Sequence, residues 1–125
     1  MTAHTLPKSE RLRSLGAVRR LFSDGRSGFV YPFRYMIFNE ESASPSVEVL
    51  FSVPKRYHKR ANKRNLLRRR TKEAYRLNKE AITAVATERG KALDMALVYS
   101  VKECVPYKTI ENAVRKILQE VGATL

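Results

Sequence analysis

The stretch from Lys55 to Lys72, KRYHKRANKRNLLRRRTK, holds ten Lys and Arg residues in eighteen positions and no acidic residue. Its second half opens a long amphipathic pattern, which predicts a helix from about Ala61 to Thr87. A positive tract of this density destabilises a compact fold through self-repulsion unless a polyanion neutralises it. The stretch therefore predicts both a framework helix of the domain and a surface that requires an anionic partner.

The predicted helix has one apolar side and one cationic side. At about 100° per residue, a mainly apolar stripe is formed by Leu67, Thr71, Ala74, Asn78, Ala81, Ile82 and Val85. The opposite side carries Arg64, Asn65, Arg68, Arg69, Lys72 and Arg76. A solvated helix face normally mixes both charges, whereas no acid lies between Glu48 and Glu73. Because guanidinium groups bind phosphate and base edges through paired donors, this side predicts a nucleic-acid-binding surface.

The residues before the helix extend the same charge. Lys55, Arg56, Lys59 and Arg60 are expected to form a flexible basic loop at its N-terminus. The positive end of the helix dipole adds to the attraction for phosphate there. His58 lies within this loop, where we expect it to contact phosphate or water.

The composition indicates one folded domain, residues 1–125, with residues 1–10 loose. A net charge of +13 and an apolar fraction of 43% favour a folded nucleic-acid-binding protein. An anionic membrane surface or an acidic protein partner is the alternative. Cys104 is the single cysteine, which indicates a reducing compartment, the cytoplasm, and a small structural thiol. No apolar run reaches the roughly 18 residues of a membrane helix.

Periodic apolar residues predict five further elements. They are a helix from Ser14 to about Ser23, strands at Phe29–Asn39, Val47–Val53 and Leu93–Val101, and a helix after Pro106. The short polar connection between the first two strands predicts an antiparallel hairpin. The order helix, strand, strand, helix, strand, helix predicts an α+β domain with a small sheet of three or four strands.

The sequence shows no spacing of residues that is typical of a catalytic site. The twelve acids show no spacing that predicts a metal pair, and no glycine-rich phosphate loop or zinc spacing occurs. The polypeptide by itself is therefore not predicted to be an enzyme. Phe22, Tyr35 and Phe38 have rings that stack on unpaired bases when exposed, but core packing is the stronger expectation for each. Strand parity places Tyr35 on the core side if Phe33 lies there.

Three segments together resemble the bacterial ribonuclease P protein family. Arg64–Tyr75, RNLLRRRTKEAY, resembles its basic signature helix, in which Leu66 replaces a usual Arg. The matching positions are Arg64, Asn65, Arg68, Arg69, Lys72 and Tyr75. Arg11–Ser27 resembles the family's N-terminal Arg-Leu and first helix, and Phe51–Arg56 resembles a strand ending in Ser-Val-x-Lys-Lys. The segments occur in the family's order and cover most of the chain.

The resemblance implies a fold, a partner and a reaction. The fold is a mixed sheet with a left-handed crossover, like domain 2 of ribosomal protein S5. The protein joins a catalytic RNA, one protein per RNA, in the cytoplasm. This ribonucleoprotein endonuclease hydrolyses precursor tRNA to remove its 5′ leader, and the RNA rather than the protein holds the Mg²⁺ ions.

The resemblance also assigns residues. Contacts to the catalytic RNA are expected at Lys55, Arg56, Lys59, Arg60, Arg64, Asn65, Arg68, Arg69 and Lys72. A cleft for the single-stranded leader is expected between the first helix and the sheet, near Phe22, Ser27, Met36 and Ser52, with Lys55 and Arg56 at its edge.

Two other functions are compatible with the charge and size. A structural ribosomal protein would copurify with ribosomes and leave precursor tRNA unaffected. A DNA-binding regulator would prefer duplex DNA to structured RNA. The sequence shows no helix-turn-helix pair, and recognition helices rarely carry so unbroken a cationic face.

Overall fold

The computed structural model describes residues 10–12 and 14–125. Its elements in chain order are α1 (Leu15–Asp24), β1 (Arg26–Val30), β2 (Phe33–Glu41), β3 (Ser46–Ser52), α2 (Ala61–Asn78), α3 (Glu80–Arg89), β4 (Lys91–Tyr99) and α4 (Tyr107–Thr124). The α+β class with a small mixed sheet is confirmed. The loose segment predicted for residues 1–10 lies, Glu10 aside, outside the described residues.

The four strands lie in the order β1-β2-β4-β3. The pairs β1–β2 and β2–β4 are antiparallel, whereas β3 pairs with β4 in parallel, from Ser46 opposite Ala92 to Ser52 opposite Val98. The antiparallel hairpin predicted between the strands at Phe29–Asn39 and Val47–Val53 is therefore wrong, because the corresponding β2 and β3 both pair with β4. The apolar strand β4 lies between β2 and β3 and is paired along both of its edges. The left-handed crossover and the likeness to ribosomal protein S5 stay predictions.

Two elements differ from the predicted pattern. The strand predicted at Phe29–Asn39 is the hairpin of β1 and β2, which turns at a cis Tyr31–Pro32 peptide. Proline interrupts strand pairing, so a turn within that run follows from its chemistry. The long predicted helix is divided into α2 and α3 at Lys79, whose neighbour Asn78 donates a side-chain hydrogen bond to the Ala74 carbonyl (2.8 Å). Side-chain amides that bond the backbone compete with the helical ladder.

Alternation along the strands gives the sheet two different faces. On the core face, Phe33, Met95 and Leu97 pack beneath α2, α3 and α4 and are almost fully buried. The rings of Phe33 and Tyr99 meet edge to face, with centroids 5.7 Å apart. Most of the hydrophobic stabilisation therefore comes from this face.

The opposite face, here called the α1 face, is covered only in part. Leu21 of α1 packs with Leu12 and Ala96 in a smaller cluster. Ser14 caps the N-terminus of α1, where its side-chain oxygen accepts the Ala17 N–H (3.3 Å). At the other end Gly25 is close-packed, since a Cβ there would lie 2.3 Å from the Leu21 carbonyl oxygen and 2.8 Å from that of Ile37. The end of α1 thus lies tightly against β2.

Among the described residues, no helix has both the length and the apolar character needed to cross a membrane.

Candidate nucleic-acid interface

The side of α2 that faces away from the core carries the predicted cationic residues. Its inward side buries Leu67, Thr71, Ala74 and Tyr75 against the core. The predicted contact residues lie outside that core, exposed or half-buried, on α2 or on the loop before it: Lys55, Arg56, Lys59, Arg60, Arg64, Asn65, Arg68, Arg69 and Lys72. We call these nine residues the basic surface. The grouping of the five residues on α2 follows from the helical spacing on which the prediction rested.

Three side-chain hydrogen bonds organise the basic surface. The Asn65 side-chain oxygen accepts a hydrogen bond from Arg68 Nη1 at 3.1 Å, which orients a guanidinium one turn along the helix. Arg64 Nη1 donates to the carbonyls of His58 (3.1 Å) and Lys59 (2.7 Å). Arg64 therefore fixes the basic loop as well as contributing charge.

The loop is more constrained than the flexible segment predicted from its sequence. The backbone N–H groups of Tyr57 and His58 both donate to the Pro54 carbonyl (3.3 Å each). His58 is 8% exposed, its Nε2 donates to the Val101 carbonyl (2.8 Å), and its ring meets Tyr99 edge to face. The expected contact of His58 with phosphate or water is therefore wrong. The imidazole instead fastens the loop to the sheet.

A second cationic group lies beside α2 and includes a residue that the sequence prediction missed. Arg11, Arg68 and Lys72 line a groove of about 160 Å³ whose apolar wall includes Val49 and Phe51. Burial, and then the charges of Arg11 and Arg68, lower the pKa of Lys72. Arg11 belongs to the N-terminal Arg-Leu of the family resemblance, which was the available signal for it.

The α1 face contains a cleft of about 710 Å³. It is lined by Phe22, Ser27, Gly28, Phe29, Arg34, Met36, Arg56, Tyr57, Val98 and Ser100. Three of the predicted cleft residues, Phe22, Ser27 and Met36, are among them, and so is Arg56 at the predicted edge. Ser52 and Lys55 are absent from the described lining, although Ser52 neighbours Val98 in the sheet.

The aromatic side chains of the cleft are largely open. Phe22 is 48% exposed and Phe29 is 56% exposed, so the core position expected for Phe22 is wrong. Tyr35 packs against the core as parity predicted, and Phe38 is half-buried under the Arg20 guanidinium, 4.5 Å from its ring centroid. Phe29 was missed because the hairpin turn beside it was not recognised.

The cleft combines rings with cations. Phe22, Phe29 and Tyr57 offer stacking surfaces, and Arg34 and Arg56 supply positive charge. The Arg56 guanidinium lies 5.1 Å from the Tyr57 ring centroid. Unpaired nucleotides bind to such sites, because each base has a π face and each phosphate a negative charge.

Two acidic residues of the α1 face lie beside Arg20, which is not among the residues that line the cleft. Arg20 pairs with Asp94 (3.4 Å) and with Glu40 (3.5 Å). Burial raises the pKa of Asp94, whereas the hydrogen bond from Arg20 lowers it. Burial and the Asp94 charge raise the pKa of Glu48.

Within residues 10–12 and 14–125, no three His, Cys, Asp or Glu side chains group as a metal site. Cys104 is exposed, contrary to the structural thiol expected.

A known protein family matches most of this chain. The sequence model of the Ribonuclease P family matches residues 6–122. The chain belongs to the ribonuclease P protein family. The resemblance seen in its three segments is thereby confirmed.

Relatives within the ribonuclease P protein family cover nearly the whole chain. The ribonuclease P protein component of Porphyromonas gingivalis is 35% identical over 122 residues, 96% of this chain and 88% of that protein. The component of Chlorobaculum tepidum is 38% identical over 97 residues, 70% of this chain and 60% of that protein. The fold matches the RNase P protein from Thermotoga maritima with a TM-score of 0.69, at 22% identity, over 89% of this chain and 96% of the other.

Proposed function

We propose that this chain is the protein subunit of a bacterial ribonuclease P that acts in the cytoplasm. One copy binds one catalytic RNA and also holds the single-stranded 5′ leader of precursor tRNA. The complex then removes the leader by endonucleolytic hydrolysis, which matures the tRNA 5′ end. The observation that carries this proposal is the open aromatic and cationic cleft on the α1 face of a ribonuclease P family protein.

The basic surface is assigned to the catalytic RNA. Structured RNA is recognised largely through its shape and phosphates, which suits a rigid helix bearing guanidinium groups. The Asn65–Arg68 hydrogen bond supports this role, because an oriented guanidinium loses less entropy on binding phosphate. The contribution of this surface is affinity for a folded RNA.

The cleft is assigned to the leader. An unpaired strand exposes its bases, and Phe22, Phe29 and Tyr57 offer rings on which bases stack without regard to sequence. Precursor tRNA has a leader and mature tRNA does not. The cleft therefore gives the complex a means of preferring substrate over product.

The Mg²⁺ ions are assigned to the RNA. Hydrolysis assisted by two metal ions needs several converging carboxylates or phosphates. Among the described residues, Glu40 and Asp94 pair with the Arg20 guanidinium, and no three His, Cys, Asp or Glu side chains group as a metal site. We therefore propose that the protein supplies positive charge and positioning, which lowers the Mg²⁺ concentration that the RNA requires.

Reconstitution tests the function. A bacterial catalytic RNA should cleave precursor tRNA at a low Mg²⁺ concentration when this protein is added, and should be nearly idle without it. The protein alone should not cleave. Cleavage at the mature 5′ end by protein freed of RNA would contradict the assignment of chemistry to the RNA.

The leader assignment has its own test. The complex should bind precursor tRNA more tightly than mature tRNA, and the preference should shrink when the leader is cut to one or two nucleotides. Phe22→Ala and Phe29→Ala should each reduce the preference by about 5- to 150-fold if one stacked base is lost. Tyr31→Ala is the matched control, because Tyr31 is an exposed aromatic residue outside the cleft lining. Equal tightening of precursor and mature tRNA by the protein would refute the leader assignment.

A further inference from the structure

The described N-terminal residues are fixed against the edge of the sheet. The Leu12 N–H donates to the Val49 carbonyl of β3 at 2.9 Å, and Arg11 forms a parallel bridge with Val49. The Leu12 side chain is buried in the small cluster under α1. The segment thus extends the sheet edge by a short parallel contact and brings Arg11 beside α2.

A partly buried ion pair also holds this segment. Lys79 Nζ lies 2.6 Å from Glu10 Oε1, and only 7% of the Lys79 side chain is exposed. Lys79 is the residue between α2 and α3. Lysine is rarely buried this deeply unless it is paired. The Glu10–Lys79 pair therefore joins the N-terminal segment to the junction of the two helices.

The Glu10–Lys79 pair lies next to a cluster of three cationic side chains that includes Arg11. Arg11, Arg68 and Lys72 line one groove and carry the same charge, and the charges of Arg11 and Arg68 lower the pKa of Lys72. Their mutual repulsion favours displacement of Arg11, which lies on a short segment rather than on a helix. The Glu10–Lys79 pair and the Leu12–Val49 hydrogen bond oppose that displacement from the two neighbouring positions.

We propose that the Glu10–Lys79 pair is a positioning device that keeps Arg11 in the groove, where Arg11, Arg68 and Lys72 together bind one phosphate of the RNA. This inference rests on the proposed function, because the RNA supplies the phosphate. It adds Arg11 as a contact residue, and Glu10 and Lys79 as residues that act through it. Binding of an anion relieves the repulsion among the three cations.

The positioning role is tested without RNA by amide hydrogen exchange. Replacing both members of a buried ion pair avoids an uncompensated charge, so the double variant Glu10→Gln with Lys79→Met should fold. Exchange at the Leu12 amide should rise in this variant, while amides in the β2–β4 ladder stay protected. If the double variant does not fold, Glu10→Gln alone serves, since the Glu10 side chain is one-third exposed. Unchanged exchange at Leu12 would overturn the proposal.

The effect on binding is measured as the salt dependence of affinity for the catalytic RNA. Loss of one phosphate contact lowers the slope of log K against log salt by about 0.7 to 0.9. The double variant and Arg11→Ala should each show this decrease, and combining them should add nothing further. The exchanged pair Glu10→Lys with Lys79→Glu should restore the wild-type slope. Lys108→Met is the charge control, since Lys108 is an exposed cation on α4, outside the basic surface.

The outcomes separate this inference from the function on which it rests. An Arg11→Ala variant with the wild-type slope, beside an Arg68→Ala variant with a reduced slope, would overturn the role of Arg11 and leave the function intact. Additive losses in the combined variant would show that the ion pair acts by another route, and would also overturn the proposal. A slope that no variant of the basic surface changes would refute RNA binding by this surface, and the Arg11 assignment with it.

Discussion

The two faces of the sheet contain similar aromatic and aliphatic residues but treat them differently. On the core face, Phe33 and Tyr99 are fully buried beneath three helices. On the α1 face, Phe22 and Phe29 are about half exposed at the rim of a cleft. A single helix covers this second face, and its contact is concentrated around Leu21. Burial on one face stabilises the fold, whereas incomplete burial on the other leaves a binding surface.

Parity along each strand decides whether a side chain of this sheet lies in the core or in the cleft. Phe29 and Arg34 are opposite each other in the β1–β2 register and both line the cleft. Phe33 is adjacent to Arg34 in sequence, yet it points to the core. Exposed aromatic residues lower the solubility of a protein, and a role in binding accounts for their presence at the surface.

The largest expected effect compares Phe33 with Phe29. Phe33→Ala should lower the free energy of unfolding by about 3 to 5 kcal/mol, because it leaves a cavity in the core. Phe29→Ala should change it by no more than about 0.5 kcal/mol, as is usual for surface positions. Urea unfolding followed by circular dichroism measures both. A large destabilisation by Phe29→Ala would show that the α1 face is also a structural core, and the comparison would fail.

The second largest effect is expected on α2, which also has one side that packs in the core and one side assigned to binding. Arg68→Ala with Arg69→Ala should lower the salt slope of binding to the catalytic RNA by about 1.4 to 1.8, for two lost phosphate contacts. Stability should stay within about 0.5 kcal/mol of wild type, since neither side chain lies in the core. Arg64 is omitted because its guanidinium also holds the loop.

Arg115→Ala with Lys116→Ala is the matched control for that variant. Both residues are exposed on α4, and the pair removes the same charge from another helix. If the two double variants lower the salt slope equally, the net charge governs binding and the basic surface has no special part in it.

The sequence predicted the elements better than their arrangement. Helical spacing located the inward and outward sides of α2, because that spacing depends only on local geometry. The position of β4 between β2 and β3 is a tertiary property, which a short loop between two strands does not reveal. Pro32 is the sequence signal for the hairpin turn, because proline interrupts strand pairing.

The candidate site was predictable to a similar degree. The cationic residues of α2 follow from composition and spacing, whereas Arg34, Phe29 and Tyr57 reach the cleft only through the strand register and the turn after Pro54. His58 lies among basic residues in the sequence, which suggested a phosphate contact. Its ring instead forms a hydrogen bond with the Val101 carbonyl within the protein. Contacts between residues distant in the sequence, such as the Glu10–Lys79 pair, have no sequence signature.

The smallest expected effect concerns how α1 is held on its face. Asp94 is buried there beside Arg20, with Glu40 and Glu48 also nearby. Burial raises the pKa of Asp94 and the Arg20 hydrogen bond lowers it, with burial the larger cause. A carboxyl group whose pKa is raised in the folded state binds protons more tightly there than in the unfolded chain. Its stabilising contribution is full below the unfolded pKa and is lost as the pH rises through the folded pKa.

Asp94→Asn removes this titration, so the stability of wild type relative to the variant should fall as the pH rises from about 3 to about 7. Urea unfolding at constant ionic strength measures the difference, with Asp24→Asn as an exposed control at the end of α1. The change should be well below the effect of Phe33→Ala. A relative gain by wild type over that pH range would mean that the Arg20–Asp94 pair outweighs burial. In that case α1 would be fastened to its face by charge, and high salt would loosen one wall of the cleft while leaving the core face unaffected.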